Sequence, residues 1–410
     1  MKKKTRININ TSLKIYLKTI LGFLFNKGNE YEKIFIKKLR KLFSTNKILL
    51  TSQGRVAAYN IFKVVLSEKK KEILISPYTL TEVINAIIYA GGIPIYVDID
   101  IKTGLPLKND LKKKINSKTA GLLITHLYSN REDIYKFYKR FNKKTKIIED
   151  VAINFGAKIN NKKYLGNFFD FGFYSFGVMK NLCTFHGGAI YSKDILKFNE
   201  IKKNLNKNID YPLIDSLKLI FFCLVIDILY SKLIYNLFTH HILKFSLKKL
   251  DRIVYPGVYP KIYKQKPRHY NYKFQKRFAI AGIENLKLFQ NKIRSRVKKV
   301  KLYERYLNKN LLINKFNIYN INSFLEYPIL LENNNNKFLS SILLKHGYDI
   351  RHTWYVNSVR YLKLKYKVKD FPNCEILHNK ILSLPTNNNF SKKDIIKICN
   401  IINSYEENKK

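Results

Sequence analysis

Between residues 47 and 192 the chain shows seven short apolar runs rich in β-branched and aromatic residues: KILLT (47–51), ILIS (73–76), IPIYVD (93–98), GLLIT (121–125), KIIED (146–150), FGFYSF (171–176) and GGAIYS (187–192). Stretches with helical spacing separate several of them. Short continuous apolar runs bounded by turn residues read as strands buried on both faces. Strands alternating with helices predict an α/β protein, in which a largely parallel sheet is covered by helices.

The flanking regions have a different rhythm. Residues 10–45 alternate apolar and basic positions at helical spacing and end at a turn signal over Ser44 to Asn46. After about residue 200 the pattern turns helical. The apolar stretch 217–238 is interrupted by Lys218, Asp227 and Lys232, so a membrane-spanning helix is not expected. It reads as a helix packed on the core, with a helix lying in a membrane interface as the less favoured alternative. A basic linker rich in Pro and Tyr (255–273) precedes a long amphipathic helix from about Ala279 to Leu307. FLEYPILLE (324–332), an Asn-rich loop (333–336) and a closing helix near 391–404 predict a small C-terminal α+β domain.

Composition changes this picture little. With 410 residues, 46% hydrophobic and 14% aromatic, the chain has ample material for a large domain and a smaller one. The net charge of +48 raises the question of an anionic partner. The lysines are dispersed, however, in runs such as Lys69 to Lys71 and Lys112 to Lys114, and no nucleic-acid-binding motif accompanies them. Solvated lysine faces are the simpler reading, and no nucleic-acid partner is expected. Cys183, Cys223, Cys374 and Cys399 have neither CxxC spacing nor histidine companions, which argues against a metal site or a disulfide framework and fits a reducing, cytoplasmic setting. The basic N-terminus lacks a small-residue cleavage site, so no secretory signal is expected.

In parallel sheets ligands bind beyond the carboxyl ends of the strands, and the candidate chemistry falls there. Lys180 sits in a loop between two apolar strands, followed by Gly187 and Gly188. Desolvation by its aromatic and apolar neighbours would lower its charge and free the amine to attack a carbonyl. Asp150 ends the run KIIED, where a carboxylate could pair with a pyridinium nitrogen or cap a short helix. Small Ala152 and Gly156 would let a flat ring approach. TSQGRVAAYNIF (51–62) is a strand end, a glycine and a helix start, so its amides, with Arg55 and with Ser175 if the strands are neighbours, could bind a phosphate at Gly54.

Taken in order, five segments resemble the DegT/StrS family of sugar aminotransferases: 76–100, 126–134, 147–182, 269–290 and 374–395. The resemblance implies the type I fold of pyridoxal phosphate enzymes, with a mostly parallel seven-stranded sheet. It implies covalent attachment of pyridoxal 5'-phosphate to Lys180, which would also act as general acid and base. Asp150 would hold the pyridine nitrogen, and Gly54, Arg55 and Ser175 the phosphate. Asn271 would reach that phosphate from the neighbouring subunit of a homodimer. Tyr78 would stack on the ring, since Leu80 stands where the family commonly has an aromatic; Ile153, His186 and Lys273 are further departures. Retention of Lys180 argues against the family's dehydratase branch. Arg351, Trp354 and His186 are candidates for contacts to the donor carboxylate or the sugar. The chain then divides into an N-terminal helical segment (1–45), a large cofactor-binding domain (46–250) and a linker, long helix and small domain (251–410). The implied reaction moves nitrogen from glutamate or glutamine to a keto-deoxy sugar on a nucleotide, for surface-polysaccharide synthesis. A pyridoxal protein with another role, and a basic protein that binds membrane or nucleic acid, are the competing readings.

Overall fold

The computed structural model describes residues 3–9, 11–25, 28–128, 133–134, 137, 145–159, 163–250 except Leu250, 261–313, 323–333, 335–351, 355–362 and 364–408, with side chains omitted at 246–249. All seven predicted runs form strands of one sheet: β1 (Ile48–Thr51), β2 (Glu72–Ile75), β3 (Ile93–Tyr96), β4 (Thr119–Thr125), β5 (Lys146–Asp150), β6 (Phe171–Ser175) and β7 (Gly188–Ser192). Their order across the sheet is β1-β7-β6-β5-β4-β2-β3. The pairs β6 with β5, β5 with β4, β4 with β2 and β2 with β3 are parallel, and β7 runs antiparallel to both its neighbours. Every residue of β4 is buried, as a strand covered on both faces requires.

Helices α1 (Leu13–Leu24) and α2 (Gly28–Phe43) precede the sheet, and α3 (Gly54–Val65) and α4 (Thr81–Tyr89) follow β1 and β2. Helix α3 is buried along most of its length. It is apolar nearly all round and has Gly54 at its first position, so it packs tightly under β6 and β7. Gly172 of β6 lies against the loop that precedes the strand, where a Cβ would collide with the backbone of Gly166. Further along the chain come α5 (Lys108–Lys114), α6 (Ile195–Asn206), α7 (Leu213–Leu229), α8 (His240–Lys249) and the long α9 (Ala279–Tyr306). Asp194 caps α6 by accepting the amides of Leu196 and Lys197.

The C-terminal part has the expected α+β character. Strand β8 (Glu326–Leu330) pairs antiparallel with β9 (Ile381–Pro385), among α10 (Asn336–Lys345), α11 (Pro372–Lys380) and α12 (Lys392–Glu407). Ser391 and Asp394 form a capping box at the start of α12. One connection is not visible in the chain's periodicity: Lys4–Thr5 forms a short parallel bridge to Tyr348–Asp349, tying the N-terminus to the small domain.

The stretch 217–238 departs in part from the core helix expected of it. Ser216, Ile220 and Cys223 of α7 are buried, but Leu217, Phe221, Phe222, Ile228 and Leu229 are exposed. Two faces of this segment are apolar, and only one meets the core. Among the described residues no helix is long and apolar enough to cross a membrane.

Candidate active site

The site forms where β5 and β6 end. Asp150, the last residue of β5, is 1% exposed. Its Oδ1 accepts the Ala152 amide at 2.9 Å, while Oδ2 is buried and has no hydrogen-bond partner among the described residues. Burial pushes this carboxyl up to about 6, although the Ala152 amide and the charges of Lys180 and His126 pull it down.

Lys180 lies in the loop after β6. Its amide donates to Gly177 O at 3.2 Å, and Met179 just before it holds φ +66°. A left-handed methionine is uncommon, and backbone strain of this kind gathers where a side chain must be aimed. Burial lowers the Lys180 amine below the usual lysine value, against the pull of Asp150, Glu326 and Glu82. Asn181 fastens the loop from the far side, donating to Ser323 Oγ at 2.7 Å and to Ile153 O at 3.2 Å.

Gly54, Arg55 and Ser175 also come together. A Cβ on Gly54 would lie 2.8 Å from Ser175 Cβ, and one on Gly188 would lie 2.8 Å from Gly54 N. Only glycine allows this approach of helix start to strand end. Gln53, at the N-cap of α3, makes no side-chain cap, so the first amides of a 12-residue helix face this corner. Arg55 stands 4.0 Å from Glu82. The turn Arg268–Asn271 of the same chain lies alongside, with Ser52 Oγ 3.5 Å from His269 O. His269 Nε2 is buried without a partner among the described residues, and burial together with the Arg55 charge lowers its ring to about 4.

Tyr78, Leu127, Tyr128, Ile153, Glu326 and Tyr355 among others line a cavity, and Tyr355 lies within the electrostatic reach of Asp150. Tyr78 and Tyr355 stand with ring centroids 6.1 Å apart. Burial raises the Tyr355 phenol well above its ordinary value, and the Asp150 charge adds to this.

The remaining sequence candidates differ in placement: His186 and Asn271 lie near the same corner, and Arg351 is turned to an acidic partner. His186 sits beside Gln53, with Nδ1 3.3 Å from Gln53 Nε2 and 2.9 Å from Tyr211 Oη; burial lowers it to about 4 and keeps it neutral. Asn271 is exposed, its Oδ1 accepting Lys266 Nζ at 2.8 Å. Arg351 is buried and turned toward Asp349, which its Nε meets at 2.8 Å. Trp354 lies outside the described residues.

Sequence reasoning missed several groups near the pair. His126 Nε2 donates to Glu149 Oε1 at 3.0 Å, and Glu149 also accepts the amides of Gly166, Phe168 and Phe169, which fixes the strand end that presents Asp150. Arg6, Arg296 and Glu326 line a small cavity next to Met179. Arg296 carried a signal: it falls on the buried stripe of α9 with Phe289, Val300 and Tyr303, an apolar spacing broken by a cation.

A partly buried amine and a buried carboxyl thus stand just past strand ends of a mainly parallel seven-stranded sheet in an α/β protein. The comparisons carry this further. The model of the DegT/DnrJ/EryC1/StrS aminotransferase family matches residues 16–207 and 247–403, and the chain belongs to that family. It is 30% identical over 173 residues to GDP-perosamine synthase of Escherichia coli O157:H7, an alignment covering 42% of this chain and 47% of that one. The chain therefore spans about half the length of such curated relatives in these alignments. Among solved structures it resembles Helicobacter pylori PseC, an aminotransferase of pseudoaminic acid biosynthesis, with TM-score 0.67 and 17% identity over 92% of this chain and 91% of that one. It also resembles the E. coli GDP-4-keto-6-deoxy-D-mannose-3-dehydratase with bound hydrated PLP, with TM-score 0.70 and 18% identity over 97% and 99%.

Proposed function

We propose that the protein is a pyridoxal-phosphate-dependent sugar aminotransferase that takes nitrogen from glutamate or glutamine and delivers it to a keto-deoxy sugar carried by a nucleotide. The observation that carries this reading is the unpartnered, buried Oδ2 of Asp150 within the electrostatic reach of Lys180. An isolated buried carboxylate is costly, and a protonated ring nitrogen is the partner it lacks. The residues fit the cofactor at its other end too, because Gly54, Ser175, the open start of α3 and Arg55 form a corner suited to a phosphate.

In this reading Asp150 Oδ2 would hold the ring nitrogen, and Tyr78 and Ile153 would contact the ring. When bound, the cofactor supplies an electron sink for the carbon that loses its proton. The chain's own groups do the rest. Burial favours the neutral Lys180 amine, which can attack a carbonyl carbon and hold the cofactor covalently. When not bonded to the cofactor, Lys180 Nζ would be the base that takes the proton from the donor carbon and the acid that returns one to the sugar carbon. Arg6 and Arg296, in the cavity beside Met179, are suited to a substrate carboxylate or phosphate. The names of relatives support the sugar class: a GDP-perosamine synthase, and the dTDP-4-amino-4,6-dideoxy-D-glucose transaminase of Shigella dysenteriae at 27% identity. We assign the product to surface-polysaccharide synthesis, and the enzyme to a homodimer in which Asn271 of one protomer serves the site of its partner.

The test is spectroscopic. Purified protein should carry a visible absorption band that vanishes in Lys180→Ala. Glutamate or glutamine should bleach the band, and a nucleotide-linked keto sugar should restore it. A wild-type protein that stays colourless after incubation with the cofactor would overturn the reading.

A further inference from the structure

Among the described residues, most of the large apolar side chains that remain exposed belong to α1 and to the helices between residues 213 and 245. On α1 they recur at helical spacing, Leu17, Leu21 and Leu24 among them, and on the later helices they include Phe221, Phe222 and Phe238. Leu24 is 73% exposed and Phe221 66%. The two groups adjoin, since Tyr16 Oη on the inner face of α1 donates to Asp227 Oδ2 of α7 at 2.7 Å. A contiguous apolar surface of this kind marks an interaction site. Residues 208–246 also fall between the two stretches matched by the family model.

The charges on this face select the partner. Asp227 is turned inward to Tyr16, and Asp215 accepts Tyr272 Oη at 3.4 Å. Asp210, just before α7, is exposed and stands 3.6 Å from Lys273, which offsets its charge. Lys14, Lys218, Lys232 and Lys244, in contrast, are exposed beside the apolar side chains. A second copy applied to the same patch would bring lysines against lysines. An anionic bilayer offers what the face lacks, headgroup charge for the ammonium groups and an acyl boundary for the leucines and phenylalanines. No described helix is built to span, so the helices would lie in the plane of the surface.

We infer that α1 and the helical insertion 208–246 form a monotopic docking surface for an anionic lipid bilayer, independent of the catalytic site. The experiment is co-sedimentation of the full chain with vesicles of phosphatidylcholine, with and without phosphatidylglycerol. The wild type should pellet with the anionic vesicles and about tenfold less with the neutral ones. Phe221→Ser with Leu237→Ser should lose binding to both by about tenfold or more, and Lys218→Gln with Lys232→Gln should lose only the preference for anionic lipid. These positions are exposed, and unchanged circular dichroism would show that the variants fold. A wild type that stays in the supernatant, or an apolar variant that binds as well as wild type, would overturn the inference. So would gel filtration in which the wild type forms a larger assembly that the apolar variant dissolves while neither pellets, because a second copy would then be the occupant.

Discussion

Asp150→Asn isolates the electrostatics of the site in the cofactor-free protein. The folded carboxyl titrates near 6 rather than 3.8, with burial as the main cause. At about 1.4 kcal/mol for each tenfold change in proton affinity, this rise corresponds to about 3 kcal/mol. The sign is unfavourable for the charged form. Between pH 3.8 and about 6 the folded state binds the proton more tightly than the unfolded state, so stability falls as pH rises through this window and stays lower above it. Asparagine keeps an oxygen for the Ala152 amide but cannot ionise. Its buried carboxamide carries a cost of its own, and that cost is the same at every pH. The difference in unfolding free energy, variant minus wild type, should therefore increase by about 2.4 kcal/mol from pH 4 to pH 8. Urea denaturation of both cofactor-free proteins across this range measures it. Adding pyridoxal phosphate at pH 8 should stabilise the wild type more than the variant, because only the wild type gains a charged partner for Oδ2. A difference that does not vary with pH would refute the argument that Asp150 is an uncompensated buried acid.

Three further outcomes follow from the geometry. Lys180→Ala should reduce turnover by about 10²-fold to 10⁴-fold, measured by product formation from a keto sugar nucleotide, and added small amines should restore part of it. Gly54→Ala places a methyl group 2.8 Å from Ser175 Cβ, so it should cost about 1–3 kcal/mol in thermal unfolding and weaken retention of the cofactor through dialysis. Arg351→Leu leaves Asp349, 1% exposed, without its guanidinium; a loss of about 3–5 kcal/mol in stability is expected. Substituting Asp349 by Asn in the same chain should recover much of that stability, and a large rise in the donor KM without instability would instead assign Arg351 to the substrate.

The parts of this molecule that were legible in its sequence are those set by local rules. The seven strands announced themselves because strands buried on both faces are continuously apolar, and the positions after them became candidates because open parallel sheets carry their ligands at the carboxyl ends. Lys180, Asp150, Gly54 and Ser175 converge for that reason. What stayed hidden depends on pairings that span most of the chain. No local pattern could announce that Lys4–Thr5 would lie beside Tyr348–Asp349, whereas the pairing of Arg351 with Asp349, two residues earlier, is a local one that a substrate role for the arginine overlooked. The stretch 217–238 hid for a different reason: hydrophobicity reports that a side chain avoids water, and leaves open whether protein or lipid replaces it. Phe221 and Cys223 are two residues apart and similarly apolar, yet one is 66% exposed and the other fully buried. The charges separate the two faces, because α7 turns Asp227 inward to a tyrosine and leaves Lys218 outside. Charge read on each face of the helix therefore says more about its partner than the interruptions counted along the stretch, which weigh only against a spanning helix.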